Sequence, residues 1–162
     1  ELMHRWIDLA AFGPVMRSHE GNRPSENLQI DSSPEILTHF ARMSQVHAQL
    51  APYVRAVCDE AVANGLPLQR PLFLHYDDPE YHDIQDQYLY GADMIVAPVV
   101  EEGYESRLVI LPQGAWVHLW TGALYGKGTH DIAAPHGQPP VFVRQDSAHA
   151  DLFASIRAAF GA

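Results

Sequence analysis

The chain has 162 residues, 47% hydrophobic and 10% aromatic, the make-up of a packed globular protein rather than a disordered one. Twenty acidic residues against ten Lys and Arg give a formal net charge of -10; this argues against nucleic acid as a partner, because phosphate binding needs a positive surface, but leaves room for an anionic small molecule in a local Arg or His pocket. Cys58 is the only cysteine, so no internal disulfide is available, and no apolar run reaches the roughly 18–20 residues of a membrane span.

Leu2, Met3, Trp6, Ile7, Leu9 and Ala10 recur at helical spacing, and Gly13-Pro14 stops the helix they predict. The chain thus opens inside a helical pattern without an initiator Met, and the expectation is a piece of a longer protein. A polar loop runs to about Ser33. Within it, Arg17-Ser18-His19-Glu20-Gly21-Asn22-Arg23-Pro24 packs guanidiniums, an imidazole, a carboxylate and an amide onto a turn rooted in a rigid element. Such loops carry binding and catalysis; the plain alternative is a helix-ending turn with solvated or mutually paired charges.

Ser33 is placed as an N-cap, with Pro34 at the first helical position and Glu35 in the first turn. Leu37, Phe40, Met43, Val46, His47, Leu50, Val54, Val57, Cys58 and Ala61 form one face of a long helix, kinked at Pro52 and capped by Asn64-Gly65. Cys58 there is expected to be a small buried hydrophobe. Residues 70–76 predict a short buried strand, which would need parallel neighbours from outside the chain. Beyond Gly91 the texture turns to antiparallel β: Met94–Val100, Arg107–Leu111, Ala115–Trp120 and Val141–Arg144 are strand-like, and Asp151–Phe160 closes the chain as an amphipathic helix.

Several familiar chemistries find no support. His75, Asp77, Asp78, His82 and Asp83 resemble a metal cluster, but Asp77-Asp78-Pro79 fits a strand-ending turn, and no His pair has a known zinc spacing, so no metal is expected. There is no nucleophile elbow, phosphate loop or dinucleotide fingerprint. Trp116 and Trp120, four apart on an apparent strand, would share a face; core packing is favoured over a sugar-stacking platform. His39 and His47 lie near one stripe of the long helix and default to ordinary surface or core histidines.

Taken in order, these segments resemble glycoside hydrolase family 31, the retaining α-glucosidases. The matching stretches are Arg5-Trp6 through Ala11-Phe12, Arg17-Ser18-His19, Leu50-Ala51-Pro52-Tyr53 and Gly65 through Phe73. They continue with Asp86-Gln87-Tyr88-Leu89-Tyr90-Gly91, Val96-Ala97-Pro98-Val99, Leu111 through Trp116, and Trp120-Thr121-Gly122. The loop departs from the usual Arg-x-His-Asn and is similar to the sulfoquinovosidase branch, which cleaves α-glycosides of a glucose-like sugar with a sulfonate at carbon six. Val15-Met16, Asn27 through Asp31, His39 through Met43, and Pro139 through Ser155 point the same way.

The resemblance implies an α/β fold: residues 1–90 as the last helices and final strand (Arg70–His75) of a catalytic (β/α)8 barrel, and residues 91–162 as a small antiparallel β-sandwich-like domain with its closing helix. It implies that His19 hydrogen-bonds sugar hydroxyls, with Arg17 and Glu20 orienting the loop or touching the sugar. The catalytic carboxylates and the main sulfonate-recognising residues are expected upstream of Glu1; Glu20 is not promoted to fill the gap. The expected activity is retaining hydrolysis of α-sulfoquinovosides by double displacement, without cofactor or metal, by the complete protein, the fragment alone being inactive. An α-glucosidase or α-xylosidase of the same family is the alternative, and a standalone carbohydrate-binding module a more distant one. The expected partner is a small sugar rather than nucleic acid or membrane, a homo-oligomer stays open, and the expected location is cytoplasmic.

Overall fold

The structure, a computed structural model, describes residues 1–19, 21–23 and 25–161. The helical part begins with α1 (Leu2–Ala10), α2 (Pro34–Gln49) and α3 (Ala51–Asn64). Ser33 caps α2 as its sequence position predicts: its backbone is extended, and its Oγ accepts from the Ile36 N–H at 3.2 Å. Gly65, left-handed at φ 71°, ends α3 by donating its N–H to the Ala61 carbonyl at 2.8 Å.

The single kinked helix expected over residues 34–64 is instead two helices meeting at the fully buried Leu50. Pro52 has no N–H for the carbonyl four residues back, and its ring crowds that carbonyl; in the first turn of a new helix neither matters. Cys58, expected in the core, is only half-buried.

The β part comprises β1 (Gln69–Arg70), β2 (Tyr88–Tyr90), β3 (Met94–Val96), β4 (Ser106–Leu111), β5 (Trp116–His118), β6 (Leu124–Tyr125), β7 (Gly128–Ala133) and β8 (Val141–Arg144), followed by α4 (Ala150–Phe160). Six strands form one antiparallel sheet in the order β1-β2-β3-β8-β5-β6, while β4 and β7 pair as a separate two-stranded ladder. The small antiparallel domain is therefore present.

Residues 70–76 are not the strand that was expected. Only Arg70 and its neighbour Gln69 are extended, pairing antiparallel with β2, and Leu72–Leu74 coil into a 3-10 turn. Pro71 explains the break, since it has no donor to continue a ladder. No parallel neighbour is needed. β1 and β2 precede the change of texture at residue 91, yet they belong to this sheet.

Alternation along the strands builds two cores. Leu89, Ile95, Trp116 and Phe142 face the β4–β7 ladder, where they meet Val109, Leu111 and Ile132. Tyr90, Met94, Val96, Val141 and Val143 face the helices, where they meet Met43, Leu50, Tyr53, Phe153 and Ile156. Register fixes the alternation: Leu89 opposes Ile95, and Ile95 opposes Phe142.

The two tryptophans do not share a face. Trp116 belongs to the ladder-side core, whereas Trp120, past the end of β5, belongs to the helix-side core. Both are fully buried, and each indole N–H donates to a proline carbonyl, Trp116 to Pro112 at 3.0 Å and Trp120 to Pro139 at 2.6 Å. A stacking platform is excluded, because neither ring face is accessible.

The turn between β2 and β3 shows how tightly the helices sit on the sheet. Gly91 has φ 62°, and a Cβ there would lie 2.5 Å from the Tyr53 hydroxyl and 2.6 Å from Val57 Cγ2. Tyr53, rooted in α3, accepts from the Asp93 N–H at 3.2 Å and donates to the Tyr90 carbonyl.

Candidate functional site

α1 is followed by Ala11 and Phe12, both fully buried, and the chain then leaves the helical layer. Its exit is held at two carbonyls: His47 Nδ1 lies 3.0 Å from the Ala11 oxygen, and the Tyr88 hydroxyl donates to the Phe12 oxygen at 3.0 Å. His47, assigned by default to the helix surface or core, thus braces the root of the loop.

Beyond Pro14 the backbone carries no regular structure through His19, and no backbone hydrogen bond joins residues 14–19 to the other described residues. Val15, Arg17, Ser18 and His19 are exposed, while Met16 turns inward against the helix-side core. This segment forms one wall of a cavity of about 530 Å³; Trp6 and Met3 of α1, Phe40 of α2 and Leu28 to Ile30 of the loop form the others.

Arg17 and His19, two of the residues the sequence singles out, therefore lie on one wall. Among the described residues neither makes a hydrogen bond or ion pair, so both donors are available to a ligand or to another part of a larger protein. Glu20, the third, lies outside the described residues. No carboxylate is among the described residues lining the cavity, which offers hydrogen-bond donors and apolar contact but no acid/base pair. Trp6 and Gln29 are lining residues that sequence reasoning missed; Trp6 counts there only as an apolar helix position, and its 66% exposure is what sets it apart.

The rest of the loop folds by local bonds. The Arg23 carbonyl accepts from the N–H groups of Glu26 and Asn27, both at 2.9 Å, and its guanidinium meets Glu26 at 3.2 Å. Ser32 Oγ accepts from the Gln29 N–H at 2.7 Å. Asn27 packs over Gly21 so closely that a Cβ would lie 2.1 Å from its Nδ2.

The acidic turn after β1 is structural. His75 Nε2 faces Arg70 Nη1 at 3.0 Å, and burial, aided by the Arg70 charge, holds the His75 pKa below the usual histidine value. Asp78 accepts from the Glu80 N–H and pairs with Lys127 at 3.4 Å. His82 packs edge-on against Phe73. Arg70 itself is a buried cation, ion-paired to Glu60 at 2.5 Å, a partnership no sequence signal announced. In β5, burial pushes the His118 pKa down to about 4. Among the described residues, no three His, Cys, Asp or Glu side chains are grouped to hold a metal ion, and no helix is long and apolar enough to cross a membrane.

Comparison with known proteins supplies a frame for these features. Residues 65–148, more than half of the chain, match the family model described as the glycosyl hydrolase family 31 C-terminal domain. The chain is 52% identical to a sulfoquinovosidase of Agrobacterium fabrum over 97% of its length, covering 24% of that protein. It is 49% identical to a sulfoquinovosidase of Escherichia coli, again over 97% of its length and 23% of the relative. A solved structure of a family 31 sulfoquinovosidase from E. rectale, in complex with an aza-sugar inhibitor, superposes with a TM-score of 0.95 at 44% identity, over 98% of this chain and 24% of that one. The chain thus spans about a quarter of the length of the relatives it matches. With its β domain covered by the family model and its helices by the same relatives, this chain belongs to glycosyl hydrolase family 31.

Proposed function

We propose that this chain is the C-terminal part of a retaining α-glycosidase that hydrolyses α-sulfoquinovosides. The observation that carries the reading is the near-complete coverage of the chain, at about half identity, by two relatives of that name. The exposed, unengaged Arg17 and His19 support it. In this reading His19 hydrogen-bonds sugar hydroxyls, and Arg17 and Glu20 orient the loop or reach the sugar. The two carboxyl groups of double displacement, about 5–5.5 Å apart in retaining enzymes, come from outside this chain. No cofactor is needed, and a cytoplasmic setting fits the lone cysteine.

Of residues 70–75, expected as the barrel's final strand, only Arg70 is in a strand; the same reading assigns one barrel strand to residues 15–19. The segment follows a helix, its backbone is unpartnered among the described residues, and His19 stands at its C-terminal end. Barrel enzymes place their reacting groups at the C-terminal ends of strands. Leu2, Trp6 and Val15, between 66% and 78% exposed, then face the remainder of the barrel. In this reading the β domain starts near residue 65, where the match to the family's C-terminal domain begins.

The test is kcat/KM of the complete protein for the α-sulfoquinovoside and the α-glucoside of one chromogenic alcohol. Strong preference for the sulfonated sugar supports the reading; equal rates or preference for glucose would keep the family and replace the substrate. His19→Ala should cost about 2–4 kcal/mol in kcat/KM, the loss of a transition-state hydrogen bond. An unchanged kcat/KM would remove His19 from the subsite.

A further inference from the structure

On the side of α1 away from the site cavity, three imidazoles gather over one buried carboxylate. Asp8 of α1 is 1% exposed; its Oδ1 lies 2.8 Å from His39 Nε2 of α2, and both its oxygens accept from the Gly137 N–H, at 3.0 and 3.2 Å. His4, one helical turn before Asp8, meets His39 edge-on at 4.7 Å and stacks nearly parallel on His136 at 4.9 Å. His136 and Gly137 belong to the turn between β7 and β8, so the cluster joins α1, α2 and the β domain.

The surrounding charges are unevenly matched. Arg5 of α1 donates to the Ala134 carbonyl at 2.6 Å, and Arg42 of α2 donates to the carbonyls of Gly137 and Phe160, at 3.3 and 2.7 Å. Against these fixed cations stand Asp8 and the exposed Glu35 of α2, 3.7 Å from His4. A hollow of about 450 Å³, open to water and bordered by His4, His39 and His136, lets protons reach the rings. Asp8 is already engaged by His39 and Gly137. A proton added to His136 therefore faces Arg5 and the stacked His4 ring, while one added to His4 lies between two imidazoles, with only the water-exposed Glu35 to offset it.

We propose that this cluster is an acid-opened joint: protonation of His4 and His136 separates the α1–α2 corner from the 134–138 turn, while the sheet stays folded. Partial burial lowers the pKa of both rings, reinforced at His4 by His39 and His136 against the pull of Glu35, and at His136 by Arg5 against the pull of Asp8. A histidine whose folded pKa is lowered takes up its proton more readily when the contact opens. Its stabilisation is thus complete above the unfolded value of 6.5 and is lost as pH falls through the lowered folded value. The joint is independent of the substrate assignment.

Hydrogen exchange on the complete protein at pH 7.5 and pH 5.0, corrected for intrinsic rates, tests it. Peptides covering α1, the first turns of α2 and residues 130–138 should lose protection together by roughly tenfold or more at pH 5.0, and regain it at pH 7.5. Those covering β3 and β8 should not. In the His4→Gln/His136→Gln double variant the loss at pH 5.0 should shrink to within about threefold. If the double variant folds poorly, the exposed His136 substituted alone should still move the acid midpoint down by roughly half a pH unit. Uniform loss across the chain, loss led by β5 around His118, or an unchanged midpoint in the variants would each overturn the proposal.

Discussion

The β domain and the segment that carries Arg17 and His19 are held by opposite means. In the β domain large side chains disappear from solvent and their polar atoms find partners. Trp120 is fully buried, donates to Pro139 and meets Phe12 edge-on at 6.0 Å. In the segment, polar side chains stand exposed without a partner among the described residues, and only the root at Ala11 and Phe12 is pinned. One region spends its groups on itself, whereas the other leaves them for a ligand or a larger assembly. The comparison breaks first at Trp120. Trp120→Ala should destabilise the complete protein by about 3–5 kcal/mol, through lost burial and the cavity left behind. Urea unfolding measures it; a loss under about 1 kcal/mol would show that the helix-side core does not depend on this ring.

His19→Ala is the mirror experiment. The exposed ring makes no hydrogen bond to the described residues, so its removal should leave the urea midpoint within about 0.5 kcal/mol of the parent. Its expected effect falls on kcat/KM alone. A variant that lost stability and activity together would show that the complete protein packs this imidazole as a structural element.

The sequence pattern was most legible where local chemistry decides the outcome. The Ser33-Pro34 start of α2, the Gly65 stop of α3 and the strand at Val141–Arg144 stand where capping and alternation put them. It misled where tertiary context decides. Residues 70–76 have the apolar texture of a buried strand, but Pro71 breaks the ladder, and Arg70 is buried because Glu60, ten residues away on α3, neutralises it. β6 and β7 escaped notice because their alternation is partly polar, suited to strands with one wet face. Of the site, the motif was visible and its walls were not: Gln29 and Trp6 join Arg17 and His19 only through the return of the loop onto α1.

Smaller effects sharpen the contrast at the edge of the loop. Ser33→Ala removes the Oγ acceptor of the Ile36 N–H and should cost about 1 kcal/mol, seen as a lowered Tm with kcat/KM unchanged. A larger loss, or one shared by activity, would mean that the cap also fixes the loop that precedes it.

Arg23 gives the smallest expected effect and the finest distinction. It sits in the same charged run as Arg17, so sequence alone offers no reason to separate the two. The structure does: the Arg23 guanidinium meets Glu26 three residues on, with both side chains mostly exposed, whereas Arg17 lines the cavity. An exposed pair of this kind contributes less than about 1 kcal/mol, because water screens the attraction and ordering two long side chains costs entropy. Arg23→Ala should therefore leave Tm nearly unchanged and kcat/KM within about twofold. Arg17→Ala should leave Tm equally unmoved but lower kcat/KM by tenfold or more if its guanidinium orients the loop or meets the sugar. The two substitutions remove the same charge, so net-charge and steering effects are matched and the ratio of their activities isolates position. Equal losses would mean that the run acts only as a diffuse positive field over an acidic protein. A larger loss for Arg23 would move the substrate to the far side of the turn.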